Sequence, residues 1–172
     1  MAIKDWIQDT NLVQTRTSTH TPLSNTWDGD WDTRIGNAYG GNGFISITVE
    51  TEHKNWSLPK DILYLKFRMD AGGATGDKAY GAYVDLYAYI DVGSGYPGTA
   101  DYHYSDSVPK GQGVGYDTGI YQFDGPWEGV IGVKLVSVGQ GLAESGQSAN
   151  AWSWIYELQA WGEWKRIYFN MF

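Results

Sequence analysis

Leu63-Tyr64-Leu65-Lys66-Phe67-Arg68-Met69 alternates without a break between apolar residues and polar or amphipathic ones. A strand sends successive side chains to opposite faces. This run therefore puts Leu63, Leu65, Phe67 and Met69 on one face and Tyr64, Lys66 and Arg68 on the other. The pattern recurs in both directions along the chain. Ile45, Ile47 and Val49 share a face of Phe44–Val49, and Val84, Leu86, Ala88 and Ile90 alternate with Tyr83, Asp85, Tyr87 and Tyr89. Ile131, Val133 and Leu135 alternate with Gly132 and Lys134, and Trp152, Trp154, Tyr156 and Leu158 with Ser153, Ile155 and Glu157. Each run ends in Gly, Pro, Asp or Asn, the residues that form turns. No long stretch has helical periodicity, and residues 1–10 allow one short turn. Residues 70–81, 93–118 and 139–150 read as long, glycine-rich, polar loops, where a rigid sandwich usually carries its binding sites. There is no internal repeat, linker or low-complexity tract. The chain reads as one all-β domain over residues 1–172, a jelly-roll β-sandwich of about eight antiparallel strands.

Bulk properties narrow the function. A chain of 172 residues can bury a core without covalent staples. The absence of cysteine excludes disulfides and thiolate zinc sites. The net charge is −8, and Lys and Arg are scattered as singles apart from Lys165-Arg166. Without clustered cations to displace counterions from phosphate, nucleic acid is not an expected partner. MAIKDWIQDT lacks the apolar centre of a signal peptide, and no segment reaches the roughly 18 apolar residues of a membrane span. Membrane insertion is not expected. Three settings stay open: a chain cytosolic when made, a chain whose leader has been removed, and a particle protein assembled in a host and released later. A virion surface or an extracellular setting suits a binding role. Nine tryptophans and 13 tyrosines exclude disorder. Their amphipathic faces suit both stacking on sugars and filling a β core.

The sharpest local motif is Asn25-Thr26-Trp27-Asp28-Gly29-Asp30-Trp31-Asp32-Thr33. Alternating aspartates around a glycine offer carboxylates and carbonyls together, the hard oxygens that calcium takes. An EF-hand register fails, because Thr33 stands where glycine is needed and Tyr39 where glutamate is needed. A metal-free Asp/Gly turn is the other reading. Near the end of the chain, Trp154-Ile155-Tyr156-Glu157-Leu158-Gln159-Ala160-Trp161-Gly162 carries one carboxylate among apolar neighbours. Either Glu157 is an exposed edge residue, or it must meet a cation or donors to offset its desolvation.

Taken together, these two motifs resemble the discoidin family, the coagulation-factor type C domains, and the related family 32 carbohydrate-binding modules. In that family an Asp-Gly-Asp/Asn-x-x-Thr turn follows the first strand, matched here by Asp28-Gly29-Asp30-Trp31-Asp32-Thr33. The last strand reads Glu-(Ile/Leu)-x-(Val/Ala)-x-Gly, matched by Glu157-Leu158-Gln159-Ala160-Trp161-Gly162. The resemblance spans about residues 12–162. It implies a galactose-binding-like jelly roll that binds glycans without catalysis and holds a structural calcium. By position, the ligands would be the side chains of Asp28, Thr33 and Glu157 and the carbonyls of Asn25 and Asp30. The chain departs from the pattern at Arg34-Ile35, where a tryptophan often follows the threonine, and it lacks the cysteine pair of the extracellular members.

The family's sugar-binding residues vary, so the glycan site is sought by chemistry. Tyr96-Pro97-Gly98-Thr99-Ala100-Asp101-Tyr102-His103-Tyr104 combines stacking faces with hydroxyl, carboxylate and imidazole groups, which makes Tyr96, Asp101, Tyr102, His103 and Tyr104 the leading candidates. Trp56 and Trp127, beside prolines, are secondary ones. His20, His53 and His103 show no metal spacing. A Gly-x-Ser-x-Gly elbow is absent. The strand pattern of paired carboxylates found in β-sandwich glycosidases is also absent. No glycine-rich segment is followed by the Lys-Ser/Thr of a phosphate cradle. An enzyme is not expected. The aromatic extension 163–172 is expected to add a strand or to dock on another subunit. The alternative to a glycan-binding adhesion module is accordingly a structural or decoration protein of a virion, in a phage capsid or tail, or of another large assembly.

Overall fold

Two antiparallel sheets pack face to face in this computed structural model, which describes residues 3–10, 12–75, 78–79, 81–90, 102–108, 115–142 and 148–163. The strands are β1 (Ile3–Asp5), β2 (Thr15–Ser18), β3 (Ile35–Gly41), β4 (Phe44–Lys54), β5 (Lys60–Thr75), β6 (Lys78–Ala79), β7 (Gly81–Tyr89), β8 (Tyr102–Val108), β9 (Gly115–Asp117), β10 (Tyr121–Val130), β11 (Gly132–Leu142) and β12 (Ala149–Glu163). One sheet is built on the order β1-β12-β5-β10, with β3 also on β12 and β6 and β9 also on β5. The other runs β2-β4-β11-β7-β8. A 3-10 turn at Leu23–Thr26 is the one helical element among the described residues. The expected all-β sandwich holds, with twelve strand segments among the described residues against the expected eight or so.

The alternating runs form the interior. Leu65, Phe67, Met69 and Ile155 from the first sheet meet Val49, Val84, Leu86, Val133 and Leu135 from the second, all essentially solvent-free. Each such side chain contributes roughly 1.5–3 kcal/mol by leaving water. One face of the central β5 therefore decides where the sheet sits, as its period-two pattern requires.

Three expectations need correction. Residues 1–10 add to the expected short turn, closed by the Asp9 N–H on the Trp6 carbonyl (3.3 Å), a strand, β1, that pairs with the end of β12. The stretches read as loops carry strands: β5 runs to Thr75, β8 and β9 lie within 93–118, and β11 runs to Leu142. Gly73, Gly139 and Gly141 there are packing residues. A Cβ on Gly139 would stand 1.8 Å from the Trp152 carbonyl oxygen, and one on Gly73 would stand 1.8 Å from that of Gln140. Face-packed sheets normally lie about 10 Å apart; here β11 closes almost backbone to backbone on β5 and β12. The buried Ser153 hydroxyl lies 2.8 Å from both the Ser137 carbonyl oxygen and the Ser137 hydroxyl, tying the sheets across this seam. Glycine within a strand marks such an approach.

The third correction concerns β12. Its alternation breaks at Tyr156, where the register against β5 jumps from Ile155↔Met69 to Glu157↔Arg68. Ala149, Ala151, Ser153 and Ile155 point inward before this bulge, and Leu158 and Ala160 after it. Trp152 and Trp154 lie on the outer face. The Trp152 indole N–H donates to Asp70 (3.0 Å), and Arg34 stacks on Trp154 at 4.1 Å. A bulge inserts one unpaired residue and re-aims the side chains that follow, and here the residue re-aimed is Glu157.

Candidate functional site

On the side away from β5, β12 pairs with β3 over residues 149–155 and with β1 over residues 161–163. Between them lies a gap in the ladder, and the chain fills it with the turn that follows the 3-10 segment. Gly29, at φ +82°, turns its N–H onto Glu157 Oε1 at 3.1 Å. Within the turn, Asp28 accepts from the Asp30 N–H (2.8 Å) and the Thr33 hydroxyl (2.9 Å). The Thr33 hydroxyl also reaches the Asp30 carbonyl oxygen (3.2 Å), and the Asn25 amide donates to the Arg34 carbonyl (3.3 Å). Two motifs 128 residues apart are thus in direct contact.

Glu157 is fully buried. Gly29 and the Gln159 amide donate to Oε1, while Oε2 has no hydrogen-bond partner among the described residues. Burial pushes its carboxyl up to about 8, against the two hydrogen bonds; the negative charges of Asp28 and Asp5 push in the same direction as burial. Asp5 is also buried. Its Oδ1 accepts from Ala160 N–H (2.9 Å) and Ile7 N–H (3.1 Å), its Oδ2 has no partner, and burial raises it to about 6. Two buried carboxyls and an exposed aspartate thus bear on one gap, with no Lys or Arg among the causes of either shift. Among the described residues, no three His, Cys, Asp or Glu side chains converge as a metal-holding group. A cation here would therefore draw on two carboxylates, Asp28 and Glu157, and otherwise on neutral oxygens. Calcium accepts such a mixed oxygen set, and the orphaned Glu157 Oε2 is the atom that fits it.

The predicted glycan residues fare differently. Tyr96 and Asp101 lie outside the described residues. Tyr102, His103 and Tyr104 lie on β8, the outer strand of the second sheet, opposite Ala88, Tyr87 and Leu86 of β7. Trp56 and Trp127 correct the expectation. They are 5% and 6% exposed and belong to the hydrophobic core, so neither offers a face to a sugar. Tryptophan beside proline marked a turn, but each ring folds back beneath it. His53 is a core residue as well, edge-on to Trp27, with its imidazole pushed down to about 3 by burial and by Arg16. The extension 164–172 lies outside the described residues.

Tyr39 and Phe44 stand open to solvent, at 60% and 54% exposed. They flank the hairpin that carries the chain from β3 in one sheet to β4 in the other. Between them opens a groove of about 480 Å³, whose walls include Asn37, Asn42, Ser46 and the aliphatic Ile45 and Ile47. Gly41 makes room for the Tyr39 ring, which lies across it: a Cβ there would stand 3.1 Å from Cε1. Sequence reasoning missed this groove. Its one signal is Tyr39-Gly40-Gly41-Asn42-Gly43-Phe44, a turn too rich in glycine to bury the aromatics at its ends.

No protein-family model matches the chain, and no curated protein matches it in sequence. Among solved structures, TmCBM61 in complex with beta-1,4-galactotriose shares 15% identity over 94% of this chain and 88% of its own, at a TM-score of 0.40. At that distance the likeness decides nothing about site or ligand, and the sandwich stands on its own strand pairing.

Proposed function

We propose that this domain is a non-catalytic glycan-binding module with a structural calcium in the gap of β12. The groove between Tyr39 and Phe44 carries the glycan reading. Sugar recognition needs an aromatic platform flanked by a few neutral polar groups, and here two exposed aromatic rings lie beside amides and a hydroxyl. The buried, half-satisfied Glu157 supports the calcium reading. A divalent cation held by Glu157, Asp28, the Thr33 hydroxyl and the carbonyls of Asn25 and Asp30 would offset the carboxylates' desolvation and weld the turn to β12.

The test is a glycan array probed in calcium and in chelator, with Tyr39→Ala as control. The parent is expected to bind a defined set of glycans. Tyr39→Ala is expected to lose about 1–3 kcal/mol of that binding at an unchanged melting temperature. Binding to no glycan at all would overturn the proposal.

A further inference from the structure

Resting on the glycan-binding reading, we infer that the Tyr39–Phe44 groove selects neutral sugars and rejects acidic ones. Among the described residues that line it, none is Asp, Glu, Lys, Arg or His. The polar groups it offers are the amides of Asn37 and Asn42 and the hydroxyl of Ser46. Amides and hydroxyls both donate and accept, as sugar hydroxyls do, so a neutral ring can satisfy and be satisfied in either direction. A carboxylate or sulfate can only accept. Set against the rings and the aliphatic wall of Ile45 and Ile47, it would shed water and meet no cation in return.

Three cations of the described residues are engaged away from the groove. Lys54 pairs with Glu52 at 2.6 Å and Lys134 with Glu50 at 2.9 Å. Arg34, just before β3, turns to the outer face of the sheet, over Trp154 and within 3.1 Å of the Tyr156 hydroxyl. Asn37 and Tyr39 share the parity of the buried Ile35 and so face the other way. The net charge of −8 adds a diffuse repulsion that salt would screen. The discrimination built into the walls would survive salt.

The experiment compares oligosaccharides of a hexose with those of the corresponding hexuronic acid, which differ by a carboxylate in place of a hydroxymethyl group. Binding is titrated with the full chain at physiological and raised salt. The neutral series is expected to bind, with the acidic series at least about tenfold weaker at both salt concentrations. Asn42→Lys, on the exposed hairpin, is expected to shrink that gap by admitting the carboxylate. Acidic binding equal to or tighter than neutral overturns the inference while leaving the glycan reading intact. A gap that vanishes at raised salt also overturns it, because net charge would then be the cause. Failure of both series, and of every glycan on the array, removes the underlying reading instead.

Discussion

Replacing Glu157 with glutamine separates the two roles its position implies. The carboxyl lies at 4.5 in the unfolded chain and at about 8 in the fold. Between these values the folded state holds a proton that the unfolded state has released, so stability falls as pH rises. Asp5, raised from 3.8 to about 6, acts with the same sign at lower pH. His53, lowered from 6.5 to about 3, acts with the opposite sign, because its unfolded form takes up the proton first. By pH 6.5 Asp5 is largely ionised and the unfolded His53 is already half neutral, so Glu157 dominates the window from 6.5 to 8. A one-proton difference is worth about 1.4 kcal/mol per pH unit, so the metal-free parent should lose up to about 2 kcal/mol across that window.

Urea unfolding in chelator measures this loss directly. Glu157→Gln keeps the shape and the neutral hydrogen-bonding capacity, so it should abolish the slope and exceed the parent in stability at pH 8. Saturating calcium should invert the order. The parent gains by mass action, while the variant, lacking a ligand carboxylate, gains little. A variant with the parent's slope in chelator would refute the buried-carboxyl argument, and a parent indifferent to calcium would refute the metal.

Three further substitutions test the same frame. Asp28→Ala should remove the dependence of melting temperature on calcium; in chelator it should still cost about 1 kcal/mol, because it deprives the Asp30 N–H and the Thr33 hydroxyl of their acceptor. Gly139→Ala should cost more than about 3 kcal/mol, since its Cβ would press on the carbonyl oxygens of Trp152 and Gly72. Gly43→Ala, at φ +81° with nothing within 4 Å, should cost only about 1 kcal/mol. Denaturant melts of the pair decide the point, and equal losses would mean that the seam is not closed by its glycines.

The strand pattern made the sandwich legible because period two is a local property, visible wherever one face is buried. Leu65, Phe67 and Met69 announce their face without reference to any neighbour. The bulge at Tyr156 is not local. It exists because β12 must serve β3 on one side of the bulge and β1 on the other, and no feature of Trp154–Leu158 by itself marks the inserted residue. The resemblance of two short motifs to one family implied that the Asp28–Thr33 turn and Glu157 share a calcium; what the sequence could not show is that the turn meets Glu157 through the Gly29 N–H, with the carboxylate wholly buried and one oxygen unsatisfied. Trp56 and Trp127 went astray because a turn in the backbone says nothing about which way its ring folds.

The glycines explain why the open groove was the hardest feature to read. In β5 and β11 they let two sheets close until no side chain fits between them, which pulls one region of the sandwich tight. In Tyr39–Phe44 the same residue type leaves the hairpin without side chains to cover its own aromatics. One composition thus produces closure where backbone of the opposite sheet packs on the glycine, as at Gly73 and Gly139, and exposure where nothing does, as at Gly43. Which of the two occurs depends on partners tens of residues away, Gln140 for Gly73 and Trp152 for Gly139. A glycine-rich segment flanked by aromatics is therefore best read by asking what lies opposite it. Along this turn the described residues place no third strand across Tyr39 and Phe44, and this leaves the two rings exposed.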